Sequence, residues 1–267
     1  MIRKILFIVS ALIVVGLSSC KSQYELILSS ADVQMKYDAA FDYFENKKYS
    51  KAVSLFESVS IATRGTKQDD TVQYYIALSN YKMDDIYTAD AGFESFINMF
   101  PTSPFIPSAR YYYIDCLYGQ TLRYELDQQP THKALTMIAE YLKSETDTTY
   151  IKRYNDMTNE LNERLDRKSY EGARIYYVME DYRSAVYALK DLLKEKAENI
   201  YREEVVYHIA LASYKYAFNS MPDKQKGRYL DFVDAYYNFV TEYPDSKYRN
   251  ELDGLNKRAQ KIINPKK

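Results

Sequence analysis

Two cysteines, Cys20 and Cys116, and two histidines, His132 and His208, are the side chains of this 267-residue chain best suited to thiolate or imidazole chemistry. Zinc takes three or four such ligands, with acidic residues as supplements. His208 stands four residues after Glu204, on one helical face, and nothing else joins them; His132 falls in a loop. The spacing predicts a surface ion pair and no metal site. Glu160 and Glu163 lie at helical spacing on a charged face. Paired carboxylates divide into acid and base only where a pocket raises one pKa and not the other, and no such pocket is signalled. Neither a glycine-rich phosphate loop nor a nucleophile elbow occurs. No catalytic set, cofactor site or metal site is therefore expected, and the chain reads as a non-enzyme. Cys116 shares a helical face with Ala109, Tyr112 and Tyr113 and is expected to pack in a core.

Cys20 has a different setting. Arg3 and Lys4 precede an apolar run from Ile5 to Leu17, and Leu17-Ser18-Ser19-Cys20 closes it. A basic start, an apolar core and small residues before a cut make a secretory signal peptide, here residues 1–19. The run is roughly thirteen residues long, short of the ~20 that a spanning helix needs. The stretch resembles the lipobox of bacterial lipoproteins. That resemblance implies removal of residues 1–19, acylation of the Cys20 thiol (palmitate-type chains) and no other cofactor. Each buried CH₂ contributes about 0.8 kcal/mol, so two or more acyl chains hold a protein stably at a bilayer. Lys21-Ser22-Gln23 carry neither the Asp of inner-membrane retention nor the acidic cluster of surface export. The implied address is the outer membrane, lipid-anchored and facing the periplasm.

Composition bounds the remainder. The net charge of −1 becomes about −3 once Arg3 and Lys4 leave with the signal. Nucleic-acid binding would show as a clustered basic excess, and none is present. Seven glycines, seven prolines, no tryptophan and thirty tyrosines argue against turn-rich sheets and for an all-α chain.

Apolar positions at Tyr37, Ala40, Phe41 and Phe44 step as one face of a helix, and Tyr49, Ala52, Leu55, Phe56 and Val59 form a second stripe after a short polar break. Such a hairpin cannot bury both faces alone and must stack on another. It recurs as Tyr74, Ala77, Leu78 and Tyr81 with Ile86, Ala89, Phe93, Phe96 and Phe100. Ala52 aligns with Ala89 and Phe56 with Phe93, near the 34-residue tetratricopeptide period. Ala173, Tyr176, Tyr182, Ala185 and Leu189 repeat the spacing of Ala40, Tyr43, Tyr49, Ala52 and Phe56. Two looser copies follow the same plan. One starts at Ala109, breaks at Gln120–His132 and resumes with Ala134, Ile138 and Tyr141. The other uses Val206, Ile209, Ala210 and Ser213, breaks near Pro222–Gly227 and resumes with Phe232, Tyr236 and Phe239. Between the halves, Tyr150–Lys168 carries Lys152/Asp156, Glu160/Arg164 and Glu163/Arg167 at i, i+4, the pattern of a solvated connecting helix. The expected architecture is a tetratricopeptide-like solenoid of about five hairpins. Residues 20–31 are a lipidated tether, 32–146 hold repeats 1–3, and 150–262 hold the connecting helix and repeats 4–5.

A lipobox followed by five such hairpins resembles the BamD-type outer-membrane assembly lipoproteins, the tetratricopeptide subunits of the β-barrel assembly machine. The more specific points are Phe100-Pro101-Thr102-Ser103-Pro104, Asp127-Gln128-Gln129-Pro130 before His132 and Ala134, and Tyr243-Pro244-Asp245-Ser246-Lys247-Tyr248. The chain departs from the family pattern at Ala62-Thr63-Arg64-Gly65, where a proline turn is usual, and at Lys196-Ala197-Glu198-Asn199. The resemblance implies a non-catalytic scaffold that binds the barrel subunit BamA, other assembly-machine lipoproteins and unfolded outer-membrane protein segments. Tyr37, Tyr43, Tyr74 and Tyr81, on the first helices of hairpins, are the candidate peptide-groove residues, because tyrosine offers stacking area with a polar tip. Ala52, Phe56, Ala89, Phe93, Ala185 and Leu189 are the expected packing residues between helices. The alternatives are a tetratricopeptide lipoprotein of secretin or pilus assembly and a glycan-binding nutrient-uptake lipoprotein. The second usually carries tryptophan platforms that this chain lacks.

Overall fold

A computed structural model describes residues 22–265, in which all regular structure is helical. The helices are α1 (Gln23–Leu28), α2 (Val33–Glu45), α3 (Tyr49–Thr63), α4 (Asp69–Lys82), α5 (Ile86–Met99), α6 (Ile106–Gly119), α7 (Gln129–Leu142), α8 (Thr148–Val178), α9 (Tyr182–Glu195), α10 (Arg202–Phe218), α11 (Pro222–Glu242) and α12 (Arg249–Ile263). Helices α2/α3, α4/α5, α6/α7, α8/α9 and α10/α11 correspond to the five hairpins of the repeat pattern, and the fold is an all-α, tetratricopeptide-like stack.

Three of the hairpin turns are the same object. Lys47, Asp84 and Glu180 each adopt the left-handed backbone region, with φ of 58°, 64° and 62°. In each case the next residue donates its N–H back to a carbonyl five residues earlier: Lys48 to Tyr43 at 2.8 Å, Asp85 to Asn80 at 3.0 Å and Asp181 to Tyr176 at 2.9 Å. This bond satisfies a helix-end carbonyl that would otherwise be orphaned. Asp85 and Asp181 then cap the following helix, accepting from the N–H groups of Thr88 and Ser184. L-residues with a Cβ are strained at positive φ and glycine is not. Glu180→Gly is expected to raise unfolding stability by about 0.5–1 kcal/mol, read as a higher urea midpoint with an unchanged slope. Gly92 is used differently: a Cβ there would lie 3.0 Å from the Cβ of Ala77, so its absence lets α5 approach α4.

The described residues fall into two compact units. One runs up to Thr121 and includes Thr136–Tyr150; the other comprises Leu122–Leu135 and the residues from Ile151 on. The expected halves differ from this division at Leu122–Leu135. That insertion is held by basic residues of α8: Arg164 donates to the Leu122 carbonyl at 3.1 Å, and Lys168 donates to Tyr124 and Leu126 carbonyls at 3.1 and 2.9 Å. The Arg167 guanidinium lies 4.3 Å from the Tyr124 ring centre.

In the first unit, Ala40, Ala52, Leu55, Phe56, Val59 and Val72 form a buried cluster. Helix α1 packs on it through Tyr24, Ile27 and Leu28. The tether expected at 20–31 is thus corrected for its described part. Ser22 and Glu25 form a reciprocal capping box, and Tyr24 meets Tyr43 edge-on at 5.5 Å, which together make a docked helical turn.

The connecting segment and the first helix of the fourth hairpin are one 31-residue helix, α8, which belongs to the second unit from Ile151 on. It is only partly solvated. Glu160 and Arg164 do pair at 2.9 Å, but Tyr154, Met157 and Leu161 on other faces are buried. The break expected at Pro222–Gly227 is likewise absent. Pro222 occupies the first turn of α11, where its missing N–H costs nothing, and the helix continues through Gly227 to Glu242. Beyond it α12, which the repeat pattern did not include, covers the end of the core with Leu252, Ala259 and Ile263.

Candidate functional site

Cys116 and His208 are built into packing, whereas His132, expected in a loop, is exposed in the first turn of α7. Cys116 is fully buried, and burial pushes its thiol up to about 12, which holds it protonated and unreactive. His208 does not form the surface ion pair expected with Glu204. Its Nδ1 lies 2.8 Å from the Glu204 backbone carbonyl, which can only accept, so Nδ1 carries the proton. The Tyr170 hydroxyl sits 3.2 Å from the same nitrogen, and the ring stands edge-on to Tyr170, Tyr177 and Tyr207. Among the described residues no group of three or more His, Cys, Asp or Glu is placed to hold a metal ion. Cys20, the expected lipidation site, lies outside the described residues.

Burial pushes the His208 pKa down, with Arg174 adding to the effect and Glu171 and Glu204 opposing it. In the unfolded chain the same imidazole titrates at about 6.5. Acid therefore protonates the unfolded state first, so stability from this group is complete above about pH 6.5 and declines below it. Between about pH 7.5 and 5.5, wild type is expected to lose more unfolding stability than His208→Gln, measured by urea titration at both pH values.

The four candidate tyrosines separate. Tyr74 is 5 % exposed, stacks on Phe105 at 4.5 Å, and shares a 2.7 Å hydrogen bond with Ser108. Tyr81 donates to Asp115 at 2.7 Å. Tyr37 and Tyr43 are half-buried; Tyr37 contacts Phe41 edge-on, and the Lys51 ammonium lies 5.6 Å from the Tyr43 ring centre. The structure does not gather these four rings at one site. Ala52, Phe56, Ala89, Phe93, Ala185 and Leu189 are all fully buried.

Tyr74 and Tyr81 belong to a ladder. Tyr74 to Ser108, Tyr81 to Asp115, Asp70 to Ser103, Arg110 to Ser144, and Asp166 to both Asn199 and Ile200 are hydrogen-bonded pairs separated by 33 or 34 residues. That is one tetratricopeptide period, so each bond ties one repeat to the corresponding point of the next. Asp166, buried on α8, is also paired with Lys196 and so anchors the turn between α9 and α10.

One open feature of the second unit is a groove of about 1110 Å³ with α10 as its floor and α9 and α11 as its walls. Val206, Ile209 and Ser213 supply the floor, with Leu193, Val186 and Ala235 beside them. Tyr187 from α9 and Tyr237 from α11 are 65 % and 54 % exposed and give the walls aromatic surface. One end is closed by Arg202 and Glu242, which form a two-pronged ion pair. Hydrogen bonding to Arg202 holds the Glu242 carboxyl below its ordinary range. The other end is closed by Arg228, whose guanidinium lies 3.9 Å from the Tyr216 ring centre and donates to Ser220. From Arg202 to Tyr216 the floor is about 21 Å long at 1.5 Å per residue. Sequence reading missed this groove. The signals were Tyr187 and Tyr237, aromatic residues standing off the Tyr182, Ala185, Leu189 stripe of α9 and the Phe232, Tyr236, Phe239 stripe of α11.

Residues 30–195 match the outer membrane lipoprotein family YfiO, more than half of the chain. The chain belongs to this family. The YfiO match covers α2 to α9, four of the five hairpins, and ends at the α9 wall of the groove. A search of curated proteins returns no significant match. Among solved structures, the TPR2AB-domain:pHSP90 complex of yeast Sti1 aligns over 85 % of this chain and 98 % of that chain, with 13 % identity and a TM-score of 0.42. Among the described residues of this YfiO-family chain, no helix is long and apolar enough to cross a membrane.

Proposed function

We propose that this protein is a non-catalytic scaffold lipoprotein of the outer-membrane β-barrel assembly machine. In this reading it is anchored through acylated Cys20 at the periplasmic face, and it binds a BamA-like barrel subunit, other assembly-machine lipoproteins and unfolded outer-membrane protein segments. The observation that carries the reading is the YfiO match across four of the five hairpins. The physical form supports it. A hairpin stack offers extended partner-binding surface, and the second unit carries an open groove whose exposed tyrosines suit protein recognition. Only two peptide steps separate Cys20 from Ser22, the cap of docked α1, which at 3.8 Å each is about 8 Å. Acyl chains on Cys20 would hold the first hairpin close to the bilayer surface instead of on a long leash.

The test is purification of the lipidated protein in mild detergent and identification of what accompanies it. A barrel protein bearing several periplasmic domains is the expected result. A secretin ring or a sugar transporter in its place overturns the proposal.

A further inference from the structure

We propose that the groove between α9 and α11 is the seat of a partner's amphipathic α-helix of about three to four turns, with an acidic edge and a basic edge flanking its apolar stripe. This rests on the scaffold reading above and names the chemistry of one of its partners.

The charges select such an occupant. Arg183 and Lys190 project from the α9 wall, and Asp231 and Asp234 from the α11 wall. All four are exposed, and among the described residues none of them forms an ion pair, although the Arg183 guanidinium lies 5.9 Å from the Tyr187 ring centre; Arg202, Glu242 and Arg228 are engaged with neighbours at the two ends. The groove therefore has one basic wall, one acidic wall and an apolar floor. A helix presents side chains in three directions at once: an apolar stripe reaches Val206 and Ile209, acidic residues face α9, and basic residues face α11.

The backbone also decides between a helix and an extended peptide. The floor and walls are helices whose own N–H and C=O groups are already paired, so no sheet edge is available to add a strand. An extended segment lying here would bury its peptide groups against Val206, Ile209, Leu193 and Ala235, where Asn238, Thr241, Ser213 and the hydroxyls of Tyr187, Tyr216 and Tyr237 offer scattered side-chain partners and no regular backbone ladder. A helix arrives with its backbone bonds made. The floor of about 21 Å accommodates about fourteen helical residues.

The probe is a synthetic fourteen-residue peptide, locked helical by side-chain cross-links, with a leucine stripe, glutamates along one edge and lysines along the other. Binding is measured to the lipidated full-length protein in nanodiscs, with empty nanodiscs as reference. Making both walls acidic with Arg183→Glu and Lys190→Glu is expected to weaken binding about tenfold or more. Adding Asp231→Lys and Asp234→Lys is expected to restore it to within about threefold, since exchanging the walls only reverses the direction in which the helix lies. All four positions are on the surface, so the variants fold.

The inference is overturned if the helical peptide does not bind, if binding ignores the wall charges, or if a proline-interrupted peptide of the same composition binds as tightly. A concentration-dependent dimer abolished by the double wall variant would also overturn it, by making a second copy the occupant. Barrel-protein co-purification is followed in parallel. If it persists while the peptide fails to bind, the scaffold reading stands and the helix seat falls.

Discussion

Ala185→Glu is expected to destabilise the C-terminal unit by about 4 kcal/mol or more. Ala185 is fully buried on α9, one turn before Leu189, which shares a core cluster with Ala173, Leu192, Val205 and Val206. Glutamate adds four heavy atoms beyond Cβ where there is no space, which alone costs about 1–3 kcal/mol. It also brings a carboxylate into apolar surroundings without a partner, the situation in which single substitutions reach their largest effects. A domain holds only about 5–15 kcal/mol in total, so the midpoint of thermal unfolding should fall by about 10 °C or more. Tyr187→Glu, two residues away and largely exposed, is the control and should stay within about 0.5 kcal/mol of wild type. Equal melting temperatures for Ala185→Glu and wild type would show that this position does not carry the packing of the fourth hairpin.

The second large effect concerns Cys20→Ala. On the proposed reading the Cys20 thiol carries the acyl chains, so its removal would abolish the stable membrane attachment that two or more chains provide. The variant is expected to leave the membrane fraction almost completely while keeping the helical circular dichroism and melting temperature of the mature protein, because the core clusters of the described residues are built from other positions. Fractionation after high-salt washing distinguishes a lipid anchor from adsorption through partners. Retention of the variant at wild-type levels in the washed membranes would remove the anchoring role of Cys20.

The two predictions draw on different levels of information. The Cys20 motif is local: charge, apolar length and small residues within twenty positions carry the whole signal, and no tertiary contact is needed to read it. The Ala185 prediction came from an internal repeat, and repeats are legible because each hairpin meets the same neighbour problem and solves it with the same small and aromatic residues. Equivalence of Ala52, Ala89 and Ala185 follows from spacing alone. Their burial depends on the stack, and the structure places all three at zero exposure.

What the sequence by itself determined was the helical class, the hairpin pairs and their small-residue seams. All of these are set by side-chain type and by periods of 3.6 and about 34 residues. What only the tertiary structure decided was direction. It turned Tyr74 into a tie to Ser108 and placed His208 against three tyrosines. It also folded the tether residues Gln23–Leu28 onto the first hairpin and left the space between α9 and α11 open. The reason is that a stripe on a helix states which face is apolar but not which partner covers it, and the partner lies tens of residues away. A groove is where three helices leave space between them, and that space is a property of their packing and of no single stretch of chain.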